Sequence, residues 1–218
     1  MRPKQFAVIG IGRFGASVAT TLYEMGNDVL AIDNSEAKVE GIVDQVTHAV
    51  VADSTNEAAL KSLGITNFEV VIVSIGQDIQ ASILTTLLLK ELGVNYIVAK
   101  ARTVLHGKVL QKIGADRIVF PERDMGIRVA HNLVAANVLD FIELSPEYSI
   151  VEIIVPQKMV GKSLRELDLR ARFGLNVLAI RSADKKINIS PDATDRLQHG
   201  DVMIVVGQNE EIQALGRD

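Results

Sequence analysis

Short apolar runs alternate with amphipathic segments through the first half of the chain. Each run predicts a β-strand, and apolar positions at three- and four-residue spacing between the runs predict helices. The strand runs are FAVIG, DVLAID, THAVVAD, EVVIVSIG, YIVAK and RIVF. Consecutive apolar positions within a strand are typical of a parallel sheet covered on both faces. The alternation therefore predicts a doubly wound, Rossmann-like α/β domain with strand order 3-2-1-4-5-6.

The predicted helix from Ile79 to Leu92 is apolar around most of its circumference. Its apolar residues are Ile79, Ala81, Ile83, Leu84, Leu87, Leu88, Leu89 and Leu92. A helix that packs one face on its own sheet does not need such a distribution. The pattern indicates a second apolar surface over the other side, which belongs either to another subunit or to the same chain.

The pattern changes after residue 123, and three regions are expected. A Rossmann-type domain covers residues 1–123, an amphipathic connecting helix covers 124–144, and a small α+β domain covers 145–218. In the last region SIVEIIV alternates apolar and polar positions, and KSLRELDLRARFG predicts a helix that ends at Gly174. NVLAI, INIS and DVMIVVG predict further strands, and NEEIQALGRD predicts a terminal helix.

Composition narrows the class of protein. The 218 residues are 48% hydrophobic and 23% charged, and the net charge of −4 is spread along the chain without a basic block, which argues against a nucleic-acid partner. Cysteine is missing from the sequence, so disulfides and thiolate metal sites are excluded. The chain opens on an apolar strand without signal-peptide features, and ASILTTLLLKELG is too short to span a bilayer. We expect a cytoplasmic protein that reaches a membrane only through a partner.

The first strand leads into a glycine motif, IGIGRFGASV. Gly10 permits a tight turn, Gly12 lets phosphates approach the backbone, and Gly15 lets the following helix pack on the strand. Asp33, at the end of the second strand, is placed to accept hydrogen bonds from ribose hydroxyls. The spacing predicts a nucleotide site. The two residues that follow Asp33, Asn34 and Ser35, carry no positive charge that could bind the 2′-phosphate of NADP, which argues against NADP as the ligand.

Arg13 is inserted between the second and third glycines, next to Phe14. From the first turn of a helix its guanidinium can make bidentate contacts with phosphate. Backbone N–H groups and the helix dipole already serve a diphosphate bridge, so an added arginine suits a ligand with more terminal charge, such as ATP. The alternative is a surface arginine in a salt bridge.

Residues at the tips of the other strands extend the same crevice. They are Asp53, Ser54 and Thr55 after the third strand, Ile75, Gly76 and Gln77 after the fourth, and Lys100, Ala101 and Arg102 after the fifth. His106 opens the next helix and could face the phosphates or cap the helix. Glu122 is either a solvated acid or a divalent-metal ligand, because a carboxylate beside a triphosphate is repelled unless a cation lies between them.

Several segments together resemble the cytosolic regulatory subunits of Ktr-type potassium uptake systems, which pair an N-terminal RCK domain with a C-terminal one. They are FAVIGIGRFGASVA, THAVVADSTNEAALKSLGITNFEVVIVSIG, QASILTTLLLKELG and KIGADRIVFPERDMGIRVAHNLV. The GRFG and ERDM segments are the most specific, and the resemblance covers essentially the whole chain. It implies a regulator rather than an enzyme.

The resemblance also implies partners and ligands. Subunits of that family form a ring of eight on the cytoplasmic face of an integral-membrane potassium-translocating protein, and ATP and ADP compete for the N-terminal site, to which NAD(H) has also been ascribed. The resemblance implies that Arg13 contacts the γ-phosphate, that Asp33 contacts the ribose, and that Asp53 and Ser54 contact the adenosine. Glu122 would hold Mg²⁺ or Ca²⁺ between neighbouring nucleotides. The C-terminal domain would dimerise and bind cyclic di-AMP, for which the candidates are Arg170, Asn176, Val177 and Pro191, unless these residues only pack the domain.

Two other classes of protein use the same fold. An NAD-dependent oxidoreductase needs an acid–base group at the nicotinamide, yet beyond Asp124 the only histidines are His131 and His199. A redox-sensing repressor needs a winged helix and a basic face, and neither precedes Phe6. The sequence therefore favours a protein without catalytic residues.

Overall fold

A parallel six-stranded sheet is the framework of the first of the two units into which the chain divides, residues 1–123 and 124–218. The computed structural model describes residues 3–134 and 138–217. The strands of this sheet are β1 (Gln5–Ile9), β2 (Asp28–Asp33), β3 (His48–Val51), β4 (Val70–Val73), β5 (Ile97–Lys100) and β6 (Arg117–Val119). Their order, β3-β2-β1-β4-β5-β6, confirms the predicted order, and all neighbours are parallel.

Helices cover both faces of this sheet. They are α1 (Arg13–Glu24), α2 (Glu36–Glu40), α3 (Glu57–Ser62), α4 (Ile79–Glu91) and α5 (Val104–Lys112), with short 3₁₀ turns at Val43–Gln45 and Ile65–Asn67. Strand β1 shows why both faces are apolar, since Ala7 and Ile9 belong to one hydrophobic cluster and Val8 to another. Both side-chain directions of the strand are thus buried, as the continuous apolar run predicts.

Helix α4 buries its hydroxyl groups and Leu89 but leaves Leu84 and Leu87 exposed. Ser82, Thr85 and Thr86 are completely buried, whereas Ile79 and Leu84 are each 39% exposed and Leu87 is 36% exposed. The exposed apolar residues define a surface that we call the α4 face, Ile79, Leu84 and Leu87. This chain therefore leaves exposed part of the apolar circumference for which the sequence predicts a cover.

The second unit contains an antiparallel five-stranded sheet of order β10-β9-β11-β8-β7. Its strands are β7 (Val138–Glu143), β8 (Tyr148–Ile154), β9 (Asn176–Arg181), β10 (Ile187–Asn188) and β11 (Val202–Gln208). Its helices are α7 (Leu164–Leu167), α8 (Leu169–Phe173) and α9 (Asn209–Arg217), and a 3₁₀ turn lies at Gln157–Met159. Helix α6 (Pro121–Val134) begins in the first unit and continues into the second. An α+β architecture for this region is confirmed.

The predicted connecting helix over 124–144 is wrong in its second half. Helix α6 ends at Val134, and Val138–Glu143 form strand β7 instead. There Phe141 and Ile142 pair antiparallel with Val151 and Ile150 of β8. Tertiary pairing therefore decides the state of a segment whose spacing alone also suits a helix.

The helix predicted from KSLRELDLRARFG is likewise split in two. It divides at Asp168, which has a φ of +43° and separates α7 from α8. Helix α8 ends at Phe173, with the predicted stop residue Gly174 as its C-cap. Within the described ranges, no helix is long and apolar enough to cross a bilayer.

Candidate functional site

The glycine loop joins the end of β1 to the start of α1, and each of its glycines meets a different constraint. Gly10 has a φ of +95°, which glycine adopts readily, and its N–H donates to the Ile32 carbonyl. A Cβ on Gly15 would lie 2.0 Å from the Gly10 carbonyl oxygen, so the helix packs on the loop only without a side chain there. A Cβ on Gly12 would meet no atom within 4 Å. The loop is thus packed tightly against neighbouring backbone at Gly10 and Gly15, whereas Gly12 leaves space for a ligand.

Asp33 ends strand β2 beside this loop and is only 6% exposed. Its Oδ2 accepts from the backbone N–H of Ile11 at 2.7 Å, and its Oδ1 accepts from that of Ser35 at 3.0 Å. The Lys38 ammonium donates to Oδ1 at 3.2 Å and to Oδ2 at 3.1 Å. The carboxylate therefore ties the glycine loop to the tip of β2 and is neutralised by a lysine of α2.

Two cations, Arg13 and Lys100, line a cleft together with the glycine loop. Arg13 is exposed in the first turn of α1 and, in the part of the chain that the structure describes, makes no hydrogen bond or ion pair. Lys100, at the end of β5, is buried, and its ammonium lies 5.8 Å from the centre of the Phe14 ring. The same ammonium donates to Glu122 Oε1 at 2.5 Å.

Glu122 lies in the first turn of α6, and its side chain is 70% exposed. The hydrogen bond from Lys100 holds the pKa of this carboxyl below its ordinary value, and the positive charges of Lys100 and Arg13 add to the effect. It is therefore ionised near neutral pH. Among the described residues, no group of three or more histidine, aspartate or glutamate side chains is placed to hold a metal ion.

The tip of β3 forms the opposite end of the site. Asp53 Oδ1 accepts from the Thr55 hydroxyl at 2.7 Å and from the Thr55 backbone N–H at 2.9 Å. These two bonds, the hydroxyl bond foremost, lower the pKa of Asp53. Ser54 is buried, and its hydroxyl lies 2.9 Å from that of Thr85 on α4. One face of α4 thus supports the strand tip.

These groups line a cleft of about 860 Å³ at the carboxyl ends of the strands, where open α/β sheets bind their ligands. Its volume lies within the range of small-molecule and cofactor sites. The candidates that line it are Gly10, Gly12, Arg13, Phe14, Asp33, Asn34, Asp53, Ser54, Ile75, Gly76, Gln77, Lys100, Arg102 and Glu122. They come from β-strand tips far apart in sequence, which the parallel topology brings to one edge.

Four of the candidates in the first unit do not line the cleft: Gly15, Ser35, Ala101 and His106. His106 is 3% exposed, and its Nδ1 accepts from the Arg102 backbone N–H at 3.3 Å. Burial, with the nearby charge of Arg102 second, lowers its pKa and keeps it neutral. The interpretation that His106 faces the phosphates is therefore wrong, because its ring packs inside the fold.

The sequence reading also missed cleft residues, of which Lys38, Ser74 and Asp78 carry polar groups. Asp78 accepts from the Ala81 backbone N–H as the N-cap of α4, a signal that was available from its place before an apolar helix. Lys38 lies five residues after Asp33 and brings a positive charge to this corner. Asn34 and Ser35 are the sole basis for the argument against NADP, which does not take this charge into account.

The candidates in the second unit lie on three segments. Arg170 is exposed on α8, Asn176 begins β9, and Pro191 follows β10. Val177 packs against the core of this unit. For Val177, packing is therefore an established role.

Comparison with known proteins agrees with this architecture. The chain combines an α/β unit that carries a glycine-loop cleft with a small antiparallel unit. Residues 6–121 match the TrkA-N domain, and residues 149–217 match the TrkA-C domain. The chain belongs to the family of Ktr system potassium uptake proteins. It is 52% identical over 209 residues to Ktr system potassium uptake protein C of Bacillus subtilis, covering 96% of this chain and 94% of that one. It is 49% identical over 213 residues to protein A of the same organism, covering 98% and 96%.

Solved structures share the fold at lower identity. The GsuK RCK domain has a TM-score of 0.67 at 18% identity and covers 99% of this chain and 47% of its own. The GsuK channel bound to NAD has a TM-score of 0.65 at 18% identity, covering 98% and 39%. GsuK bound to ADP has a TM-score of 0.50 at 17% identity, covering 57% and 33%. At these identities the likeness establishes the fold alone.

Proposed function

We propose that this chain is the nucleotide-sensing regulatory subunit of a potassium uptake system. It works at the cytoplasmic face of the membrane beside an integral-membrane potassium-translocating subunit, and it has no catalytic activity of its own. Its first unit binds ATP or ADP, and their exchange biases the protein between two conformations. Membership of the Ktr family and the geometry of the cleft support the proposal.

One observation carries the choice of ligand: the exposed guanidinium of Arg13 beside the open side of the glycine loop. The N–H groups at the start of α1 suit the inner phosphates, and Arg13 adds a fork of donors for an outer one. Only ATP has that outer phosphate. A ligand shifts a conformational equilibrium only through different affinities for the two states, so a contact made with ATP alone is a physical source of regulation.

Calorimetric titration of the full chain with ATP and ADP tests this assignment. Arg13→Ala should weaken ATP by about tenfold or more, since a hydrogen bond to a charged group contributes roughly 1.5–3 kcal/mol, and should change ADP far less. Arg117→Ala is the matched control, because Arg117 is exposed at the start of β6 and does not line the cleft. Equal losses for ATP and ADP would contradict the γ-phosphate role.

NAD(H) is the second candidate ligand for the same cleft. The support is the cleft's volume of about 860 Å³ and the shared fold of the GsuK channel, which has been solved bound to NAD. Including NADH in the titration decides between the two ligands. Tighter binding of NADH than of either adenine nucleotide would reassign the site, and turnover of NADH with hydroxy acids would indicate an oxidoreductase.

The α4 face supports assembly of the chain with copies of itself, for which we propose a ring of eight. Leucines that the monomer leaves in water while hydroxyls are buried behind them are expected where a second apolar surface covers the helix. Association through this face would also link the cleft to the assembly, because Thr85 of the same helix contacts Ser54 at the strand tip.

A divalent cation at Glu122 belongs to the same proposal. Glu122 is already paired with Lys100, and the described residues of one chain contain no cluster of three or more side chains that could hold a metal ion, so they do not by themselves make a cation site. The remaining ligands would have to come from nucleotide phosphates and a second copy. If so, Mg²⁺ should tighten ATP binding to the unaltered protein but not to Glu122→Gln, and an equal effect on both proteins would exclude Glu122.

For the second unit we propose cyclic di-AMP as the ligand of a dimer formed by the TrkA-C domains. The match to that domain and the exposed side chains of Arg170 and Asn176 support it. Titration of the full chain with cyclic di-AMP, compared with Arg170→Ala, tests the assignment. Binding that the variant leaves unchanged would leave Arg170 with a packing role only.

A further inference from the structure

Four hydrogen bonds fill the acceptor positions of the Asp33 carboxylate. A carboxylate has about four lone-pair sites. Backbone N–H groups of Ile11 and Ser35 occupy one on each oxygen, and the Lys38 ammonium donates to both oxygens. Any further donor, including a ribose hydroxyl, must therefore replace one already present.

Of these three donors, only Lys38 can leave without rearranging the backbone. Ile11 belongs to the glycine loop, and Ser35 is held by the turn that follows β2. The Lys38 side chain is 50% exposed, whereas that of Asp33 is 5% exposed. A groove of about 370 Å³ between α1 and α2 is also lined by Lys38, with Ser17, Thr20 and Gln45, and gives the released ammonium polar surroundings.

We propose that Lys38 competes with the ribose of the nucleotide for Asp33 and so limits how much the ribose diol contributes to affinity. The inference rests on the nucleotide function proposed above. In the unaltered protein the hydrogen bonds from the ribose diol to Asp33 replace those from Lys38, so the net contribution of the diol to the binding free energy is small. Without Lys38, the buried carboxylate lacks two hydrogen bonds, and a ribose diol that supplies them gains their full free energy.

The Lys38 charge has a second effect that must be separated from this competition. An ammonium near the cleft attracts every phosphate-bearing ligand, with or without a diol. Its removal therefore lowers the affinity of ATP and of 2′,3′-dideoxy-ATP by the same factor. The ratio of their two affinities cancels this effect and reports on the contact between ribose and Asp33.

The experiment measures ATP and 2′,3′-dideoxy-ATP affinities by calorimetry for the full chain and three variants. In Lys38→Met the preference for ATP over the dideoxy form should rise by about tenfold. Lys38→Arg, which keeps a cationic donor, should retain the ratio of the unaltered protein. Lys61→Met is the matched control, because Lys61 is an exposed lysine paired with Glu57 on its own helix, outside the cleft.

A measurement on the unaltered protein covers the case in which Lys38→Met does not fold. The NMR signal of the Lys38 side chain should shift further with ATP than with 2′,3′-dideoxy-ATP, because both ligands bring phosphates near the ammonium but only the ribose diol displaces it from Asp33. An unchanged affinity ratio in Lys38→Met, or the same Lys38 shift with both ligands, would overturn the competition. Failure of the unaltered protein to bind ATP, ADP or NADH would instead overturn the nucleotide function itself.

Discussion

Substitution of Gly15 by alanine tests how the nucleotide loop is built. The added Cβ would lie 2.0 Å from the Gly10 carbonyl oxygen and 2.8 Å from Ser74 Oγ. The hydroxyl can turn away, but the carbonyl is backbone. Gly10 is held by its N–H bond to Ile32, and the next residue, Ile11, by its bond to Asp33. Helix α1 and the loop must therefore separate by about 1 Å in a close-packed interior.

The cost follows from two opposing effects. Overpacking a core costs roughly 1–3 kcal/mol, and a clash with restrained backbone lies at the upper end, about 3 kcal/mol. Alanine within a helix is about 1 kcal/mol more favourable than glycine. The expected net loss in the free energy of unfolding is about 2 kcal/mol, which corresponds to roughly a thirtyfold increase in the unfolded population.

Hydrogen exchange followed by mass spectrometry measures this loss one unit at a time. In Gly15→Ala, amides of β1 and β4 should exchange about thirtyfold faster, while those of β11 in the second unit keep their rates. Gly12→Ala is the matched control: its Cβ meets open space, so only the weaker helix cap, about 0.5 kcal/mol, should be felt, while nucleotide binding is blocked. Exchange in β1 that is equally slow in both variants and the unaltered protein would refute the reasoning.

Three further predictions follow from individual side chains. The Lys100 hydrogen bond lowers the pKa of Glu122, so this ion pair should stabilise the protein above pH 4.5, the ordinary pKa of a glutamate, and its contribution should be lost as the pH falls through the lowered pKa. NMR titration should give a Glu122 midpoint below 4.5, and this midpoint should rise in Lys100→Met. Because burial lowers the pKa of His106, its neutral form should stabilise the fold above pH 6.5 and this contribution should decline as the pH falls; an NMR midpoint at or above 6.5 would contradict that burial. Leu84→Glu, alone or with Leu87→Glu, should reduce the assembled mass in light scattering without unfolding the chain, and an unchanged mass would remove the α4 face from the interface.

The parallel sheet could be predicted because burial on both faces leaves a continuous apolar run in each strand. Its strand order could be predicted because strands that alternate with helices behind a glycine motif are typical of the doubly wound fold. The 124–144 segment could not, because apolar spacing that suits a helix was overridden by pairing with β8. The same limit applies to α4, whose sequence shows apolar residues on all sides. Only the structure shows that its hydroxyls are buried together with Leu89, whereas Leu84 and Leu87 are exposed.

The sequence by itself determined the doubly wound topology, the glycine loop and most of the residues at the strand tips, because these depend on local periodicity and on the rule that parallel strands end at one edge. Only the tertiary structure decided which side chains share that edge and what they contact. It placed Lys38 on Asp33, paired Lys100 with Glu122 and buried His106. These outcomes depend on distances between segments far apart in the chain and on the competition of buried charges for hydrogen-bond donors. Neither can be predicted from the residues that neighbour a position in the sequence.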